Sequence, residues 1–437
     1  MKKSALTITI ITGMVTVIQI VGQIIVARIF GAKVELDAFI SAVTIPTMLT
    51  TVIAGTLNDA FLPLLKKRQM AGEEEGNGYF FKILILLSLV VFLTSIFLDF
   101  FSVPIIKILF GTRGGSFVLL TDNLMKWMVY TMAFSLAGTL CTSYLYARNK
   151  FLAPSIAYLI GSILNLSIII LLSPQYGIWS MMIAFITAIL LQLFITFPYK
   201  IVGYFLYALP LLFTQKSKGE LVILLKAWVP LIISSIAVRF DNILIRSFSA
   251  RLPEGYIVYT NLVSKLFAGL IGVMVIGIQV VFFPHLIELV HSHNFKRAEI
   301  QVNRAKLYGF LLTVGTVLVI VFIAPFFMRL LLTGNKFSGR NVEMLISLFP
   351  YFVVPALGWG IGQIFFQPII AIGKQHLLTL INMGAVFLSW ISATYAYNQF
   401  GGLAAISVGL IVLSFTGIIG AEILWKIESK KLLQTHK

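Results

Sequence analysis

Apolar residues run along this chain in stretches of twenty or more, separated by short polar turns. They show neither the strict alternation of a half-buried strand nor a narrow amphipathic stripe. Twelve stretches stand out, at roughly 5 to 27, 37 to 62, 79 to 101, 123 to 145, 151 to 173, 178 to 198, 222 to 249, 256 to 287, 307 to 329, 343 to 371, 375 to 397 and 402 to 425. Each is long enough to cross a bilayer, which takes about 20 predominantly apolar residues in a helix. Pro and Gly interrupt them freely, as neighbouring helices in a membrane bundle permit, and the dyad pattern of a barrel is missing. The fold class predicted is therefore an all-α polytopic membrane protein of twelve helices. The first stretch, after Met1, Lys2 and Lys3, is longer than a signal-peptide core and lacks a small-residue cleavage site, so it is expected to stay as helix 1.

Composition agrees, with 59% hydrophobic and 11% charged residues and a mean hydropathy of +0.98. A single thiol, Cys141, provides neither a disulfide framework nor a metal cluster. The net charge of +17 raises the question of nucleic acid, and the placement of the charge answers it. With the N-terminus inside, 19 basic residues fall in cytoplasmic loops and tails: Lys2, Lys3, Lys66, Lys67, Arg68, Arg148, Lys150, Lys200, Lys216, Lys218, Lys296, Arg297, Arg304, Lys306, Lys374, Lys426, Lys430, Lys431 and Lys437. Eight fall outside: Arg28, Lys33, Lys107, Arg113, Arg251, Arg329, Lys336 and Arg340. Basic residues favour the cytoplasmic side of membrane proteins, so both termini are expected in the cytoplasm and nucleic acid is not expected as a partner.

The chain also repeats itself. "QIIVARIFGAKVELDAF" at 23 to 39 aligns with "NILIRSFSARLPEGYIV", putting Ile25, Arg28, Phe30 and Ala32 on Ile243, Arg246, Phe248 and Ala250, an offset of 218. Further on, Pro63 meets Pro284 at offset 221 and Gly111 meets Gly334 at 223, within the interfacial pieces "VPIIKILFG" and "APFFMRLLLTG". "ARNK" meets "AIGK", and Gly177 meets Gly401, at 224. Six helices per half return the chain to its starting side, so the halves are expected to be parallel repeats around a central cavity. The lobes run over 1–205 and 221–437, joined by a cytoplasmic interfacial linker at 206–220 whose apolar part is too short to span comfortably. Two such lobes can rock about a shared site.

Polar side chains inside the spans are the candidate chemistry. Thr12, Thr16, Gln19 and Gln23 share one face of helix 1, which serves interhelical hydrogen bonding or a cavity wall. Helix 8 aligns Lys265, Gly272 and Gln279 seven apart, with Asn261 one turn from Lys265. An ammonium at that depth calls for water, a counter-ion or an anionic ligand, so Lys265 reads either as a phosphate contact or as an internal ion pair. Helix 7 carries Arg239 and Arg246, with Asp241 on roughly the opposite side. Helix 10 holds Trp359, Gln363 and Gln367 at spacing four among Gly and Pro. Arg28 and Arg246, equivalent in the repeat, end odd-numbered helices at the outer surface and brace the lobes or gate them, as does Asp37 at the outer entrance.

"VARIFGAKVELDAFISAVTIP" followed by "NDAFLPLL" closely resembles the start of the MurJ/MviN family, the lipid II flippases of the multidrug/oligosaccharidyl-lipid/polysaccharide exporter superfamily. "SKLFAGLIGVMVIGIQVVFFP" and "LLLTGNKFSGRN" fit it more loosely. The resemblance implies a carrier, not an enzyme, that moves an undecaprenyl-pyrophosphate-linked glycan from the inner to the outer leaflet of the bacterial cytoplasmic membrane, in the service of peptidoglycan or polysaccharide synthesis. Arg28, Phe30, Gly31, Asp37, Phe39, Pro46 and Pro63 match the family pattern, with Arg28, Asp37, Arg246 and Pro46 expected to gate or brace. Lys265 falls where the family usually has an arginine, while Thr16, Gly22, Thr50 and Thr51 stand where further arginines are expected. Arginine is the side chain best matched to a pyrophosphate, so these departures leave a related lipid-linked glycan or another amphiphile open. The expected member is a shortened one, without the two further helices that resemble a groove for the lipid tail. Lys265, Arg239, Thr16, Gln19, Gln23, Asn261, Gln279 and Gln363 are then the expected substrate contacts. A monomer is expected, with membrane lipid as its other partner and no cofactor beyond a coupling ion or the membrane potential. The competing readings are a cation-coupled multidrug exporter, which needs acidic residues in the lobes, and a glycan polymerase or ligase, for which no base or nucleophile constellation is present.

Overall fold

The computed structural model describes residues 2–111, 113–204, 215–292, 294–334 and 336–435, and they contain helices and turns but no strand. Twelve stretches are long and apolar enough to cross a membrane, as the hydrophobic pattern predicts. Most of the expected linker, residues 206–214, and the side chain of Gln279 lie outside the described residues. The chain divides into two compact units, Met1–Ile236 and Ala237–Lys437, and the division falls within the seventh span.

In the first unit the spans are α1 (Lys2–Phe30), α2 (Val34–Ala42) with α3 (Thr44–Ala71), α4 (Glu73–Phe100), α6 (Gly115–Val129) with α7 (Thr131–Ala147), α8 (Leu152–Tyr176) and α9 (Trp179–Thr196). A short helix α5 (Ser102–Phe110) follows α4, and α10 (Gln215–Val238) belongs to this unit up to Ile236. Helices α3, α4, α7 and α9 form its centre, around Leu57, Phe61, Phe80, Phe81 and Leu140, all fully buried. Helix α1 lies against α8 at the margin. Pro46 is buried in the first turn of α3, where a missing N–H costs little.

The second unit comprises α11 (Phe240–Ser249), α12 (Tyr256–His291), α13 (Phe295–Leu332), α14 (Gly339–Ser347), α15 (Phe349–Ala371), α16 (Gln375–Phe400) and α17 (Gly402–Thr435). Here α15 packs on α12, α13 and α17. Lipid provides no hydrophobic drive for helix association, so small residues that let backbones approach decide such contacts. A Cβ on Gly358 would stand 2.5 Å from the Ser414 Cβ, and one on Gly360 would stand 2.4 Å from the Thr313 side chain. Gly358→Ala is expected to cost about 1–3 kcal/mol through overpacking. Thermal unfolding of the purified variant measures this, and adding Ser414→Gly is expected to restore most of the loss.

The repeat is visible in the backbone. Among the described residues six have φ between +20° and +160°, and they form three pairs each 224 apart: Gly31 with Gly255, Asn149 with Gly373, and Gly177 with Gly401. These are turn positions between spans, where the left-handed region favours Gly and Asn. The halves diverge in where their helices break. "VPIIKILFG" forms the separate helix α5, whose Ser102 hydroxyl bonds Asp122 of α6. Its counterpart "APFFMRLLLTG" is not a separate interfacial piece: up to Leu332 it is the unbroken end of α13, despite Pro325.

Candidate functional site

Three of the second unit's cations, Arg239, Arg246 and Lys265, lie within the seventh and eighth spans. Arg246 on α11 is buried, and its Nη2 donates to Asn261 Oδ1 on α12 at 3.2 Å. One turn further along α12, Lys265 is exposed. No acidic side chain pairs with Lys265 among the described residues. It sits nine residues into α12, roughly 13 Å from the start of that helix by helical rise. Arg239 is exposed at the joint between α10 and α11, where φ of −99° and ψ of 10° interrupt the seventh span. Lys265 and Arg239 thus reach out of the packing, whereas Arg246 is held within it and Asn261 serves Arg246.

The same unit encloses a cavity of about 420 Å³ between α11, α12, α15, α16 and α17. Its polar lining comes from Asp241, Trp359, Gln363, Asn382 and Ser414, and Gly272, Gly358 and Gly362 leave the space open. Asp241 Oδ1 accepts from the backbone N–H and the side-chain amide of Asn242, at 2.8 and 3.0 Å. Helix spacing already set Trp359 and Gln363 together. Asn382 and Ser414 are contributed by α16 and α17, where they stand among scattered polar residues of apolar runs, with no local pattern to single them out. No group of three or more His, Cys, Asp or Glu side chains gathers to hold a metal among the described residues.

In the first unit, only 6% of the apolar stretch of α1 from Ile10 to Phe30 is buried, so its polar stripe is not covered by protein. Thr12, Thr16 and Gln19 are exposed and Gln23 is half-buried, and the Thr16 hydroxyl turns back to the carbonyl of Thr12 at 3.0 Å. Arg28 is exposed, unlike its repeat partner Arg246. Asp37 is fully buried and accepts from Arg113 Nη1 at 2.6 Å, which ties α2 to the turn before α6. Arg113 also lies over the Phe117 ring, 5.2 Å from its centre.

A second group of charges went unnoticed in the sequence. Where α3 ends and α4 begins, the buried carboxylate of Glu220 on α10 receives Lys82 Nζ at 2.8 Å and Arg68 Nη2 at 3.2 Å. Arg68 Nη1 also bonds Glu75 at 2.6 Å, and the Trp228 indole N–H donates to Thr56 Oγ1 at 2.8 Å. These bonds fasten the beginning of α10 to α3 and α4. Lys82 was hidden in a span and Glu220 at the edge of a linker, so nothing local joined them.

Comparison with known proteins gives this arrangement its context. A probable lipid II flippase MurJ from Buchnera aphidicola subsp. Schizaphis graminum is 24% identical over 399 residues, covering 86% of this chain and 74% of that protein. A solved structure of lipid II flippase MurJ in an inward closed conformation superimposes with a TM-score of 0.80 at 19% identity, covering 98% of this chain and 89% of that one. An inward-facing multidrug resistance MATE transporter of the MOP superfamily reaches a TM-score of 0.76 at 16% identity, covering 97% and 96% of the two chains. At these identities the structures establish a shared fold. The sequence profile of the family described as lipid II flippase MurJ matches residues 26–435, nearly the whole chain and both units. The protein belongs to the MurJ family of lipid II flippases, a family of transporters and not of enzymes.

Proposed function

We propose that this protein carries an undecaprenyl-pyrophosphate-linked glycan, of the lipid II class or a polysaccharide repeat unit, from the inner to the outer leaflet of the bacterial cytoplasmic membrane by alternating access, working as a monomer with both termini in the cytoplasm. The observation that carries the reading is Lys265, an ammonium within a span, exposed and paired with no acid among the described residues. A charge in that position is costly against hydrocarbon and favourable against water or an anionic headgroup. Arg239, in the same unit, is the second cation open to an anionic headgroup, and in the first unit, taken by itself, Thr16, Gln19 and Gln23 leave neutral polar groups uncovered by protein. Family membership and the relatives named as lipid II flippases support the substrate class. A cationic drug would be repelled by the same residues. The test is reconstitution into vesicles with fluorescent lipid II in the inner leaflet. Substrate is expected to appear, chemically unchanged, in the outer leaflet, whereas a polymerase or ligase would yield a larger product.

Energy for the cycle is proposed to enter at the polar cavity of the second unit. Asp241 is the carboxylate of that cavity, flanked by the neutral oxygens of Gln363, Asn382 and Ser414, a setting suited to a monovalent cation. Asp241→Asn is expected to remove the dependence of translocation on the cation gradient and to lower the rate about 10-fold or more, read by varying the sodium and proton gradients across the vesicles. A gradient response unchanged in the variant would exclude this carboxylate as the coupling site.

A further inference from the structure

Helix α13 is longer than a bilayer crossing requires. Its 38 residues extend about 57 Å, against roughly 30 Å of hydrocarbon and 40–45 Å with headgroups. At its far end Arg329 is already occupied: its Nε donates to Glu343 at 2.7 Å, and this bond holds the Glu343 carboxyl below its usual range. Counting about 20 residues back from Arg329 puts the other edge of the hydrocarbon near Gly309. The four turns before Gly309 therefore stand at and beyond the headgroup layer, on the side that the charge count assigns to the cytoplasm.

These turns have two different faces. Phe295, Ala298, Val302 and Ala305 are buried in the unit. Arg297, Ile300, Arg304 and Leu307 are exposed, at spacings of three, four and three that put them on one stripe. Leu311, Leu318 and Phe322 continue the exposed apolar surface along the span. Neither guanidinium meets an acidic partner among the described residues, in contrast to neighbouring Lys306, which pairs with Glu422. By the same count Arg304, roughly 7 Å past the hydrocarbon edge, stands at headgroup depth and Arg297 two turns further out on the same stripe. A forked cation there, next to a second one and continuous with a lipid-facing aliphatic surface, matches the chemistry of an anionic phospholipid: phosphate to guanidinium, acyl chains to the leucines.

We infer that the stripe Arg297–Ile300–Arg304–Leu307 is a binding site for an anionic phospholipid of the inner leaflet. The leaflet assignment rests on the orientation given above, but the binding does not, so the test uses purified full-length protein in phosphatidylcholine nanodiscs. The single variant Ile300→Cys carries a fluorophore, and the probes are phosphatidylglycerol and phosphatidylcholine with spin-labelled acyl chains that quench it. Phosphatidylglycerol is expected to quench at about 10-fold lower mole fraction than phosphatidylcholine, and added salt is expected to shrink the difference. Arg297→Gln with Arg304→Gln is expected to abolish the preference, and Arg329→Gln to leave it intact. Equal quenching by the two lipids, or a preference that survives the double replacement, overturns the proposal. So does displacement of phosphatidylglycerol from this site by undecaprenyl pyrophosphate at an equal or lower mole fraction, which would make the carried lipid the occupant. Vesicle translocation assays are independent of this readout, so a failed site leaves the flippase reading standing and a failed flippase reading leaves the site standing.

Discussion

Lys265→Ala is expected to slow translocation of a lipid-pyrophosphate substrate by about 10- to 100-fold while leaving the folded protein intact. The magnitude follows from the loss of one charge-assisted hydrogen bond, worth roughly 1.5–3 kcal/mol. The selectivity follows from its surroundings, since the side chain is exposed on α12 and makes no ion pair whose loss would strand a buried partner. Lys265→Arg keeps the charge and adds a fork suited to a pyrophosphate, so it is expected to retain or improve the rate. Lys265→Glu is expected to be worse than Ala, because it sets like charge against the headgroup. Translocation by reconstituted protein and thermal unfolding of the same preparations separate the two effects. If Lys265→Ala carried substrate at the wild-type rate, the headgroup contact assigned here would be wrong.

The contrast with Arg246 shows why position in the packing matters more than residue type. Arg246 is also a cation within a span, but it is buried and bonded to Asn261, so its replacement should disturb the α11–α12 contact before it disturbs any substrate. Periodicity placed Asn261 and Lys265 one turn apart, but it gave no sign that Asn261 turns to Arg246. The twelve spans were readable because lipid demands long apolar helices, and the repeat because turns between spans demand residues that tolerate positive φ, as Gly177 and Gly401 do. The break at Val43 has a local cause in Pro46, whose missing N–H leaves the Ala42 carbonyl without its helical partner, whereas no Gly or Pro stands at the break at Arg239, so that break was not readable. The cavity lining was legible only where one helix supplied it, through Trp359 and Gln363. Asn382 and Ser414 reach it from two other helices, a juxtaposition that no spacing along the chain encodes.

Lys82→Met is expected to be among the most destabilising single changes in the first unit, at about 3 kcal/mol or more. Glu220 has both carboxylate oxygens occupied, one by Lys82 and one by Arg68, and its side chain is 5% exposed. Removing Lys82 leaves a buried charge with a single partner, itself shared with Glu75, and breaking such pairs typically costs 3–5 kcal/mol. Replacing both, as Lys82→Met with Glu220→Met, is expected to recover most of the loss, because two apolar side chains of similar volume carry no desolvation penalty. The pair between Arg148 and Glu73 gives the scale: Glu73 is 70% exposed, and Glu73→Gln should cost under about 1 kcal/mol. The unfolding midpoints of the three variants, compared with wild type, decide the matter. A single replacement no worse than the double, or no worse than Glu73→Gln, would show that the attachment of α10 to α3 and α4 depends on packing around Trp228 and not on these charges. The expected order places the start of the seventh span, through Glu220, among the most firmly held parts of the first unit.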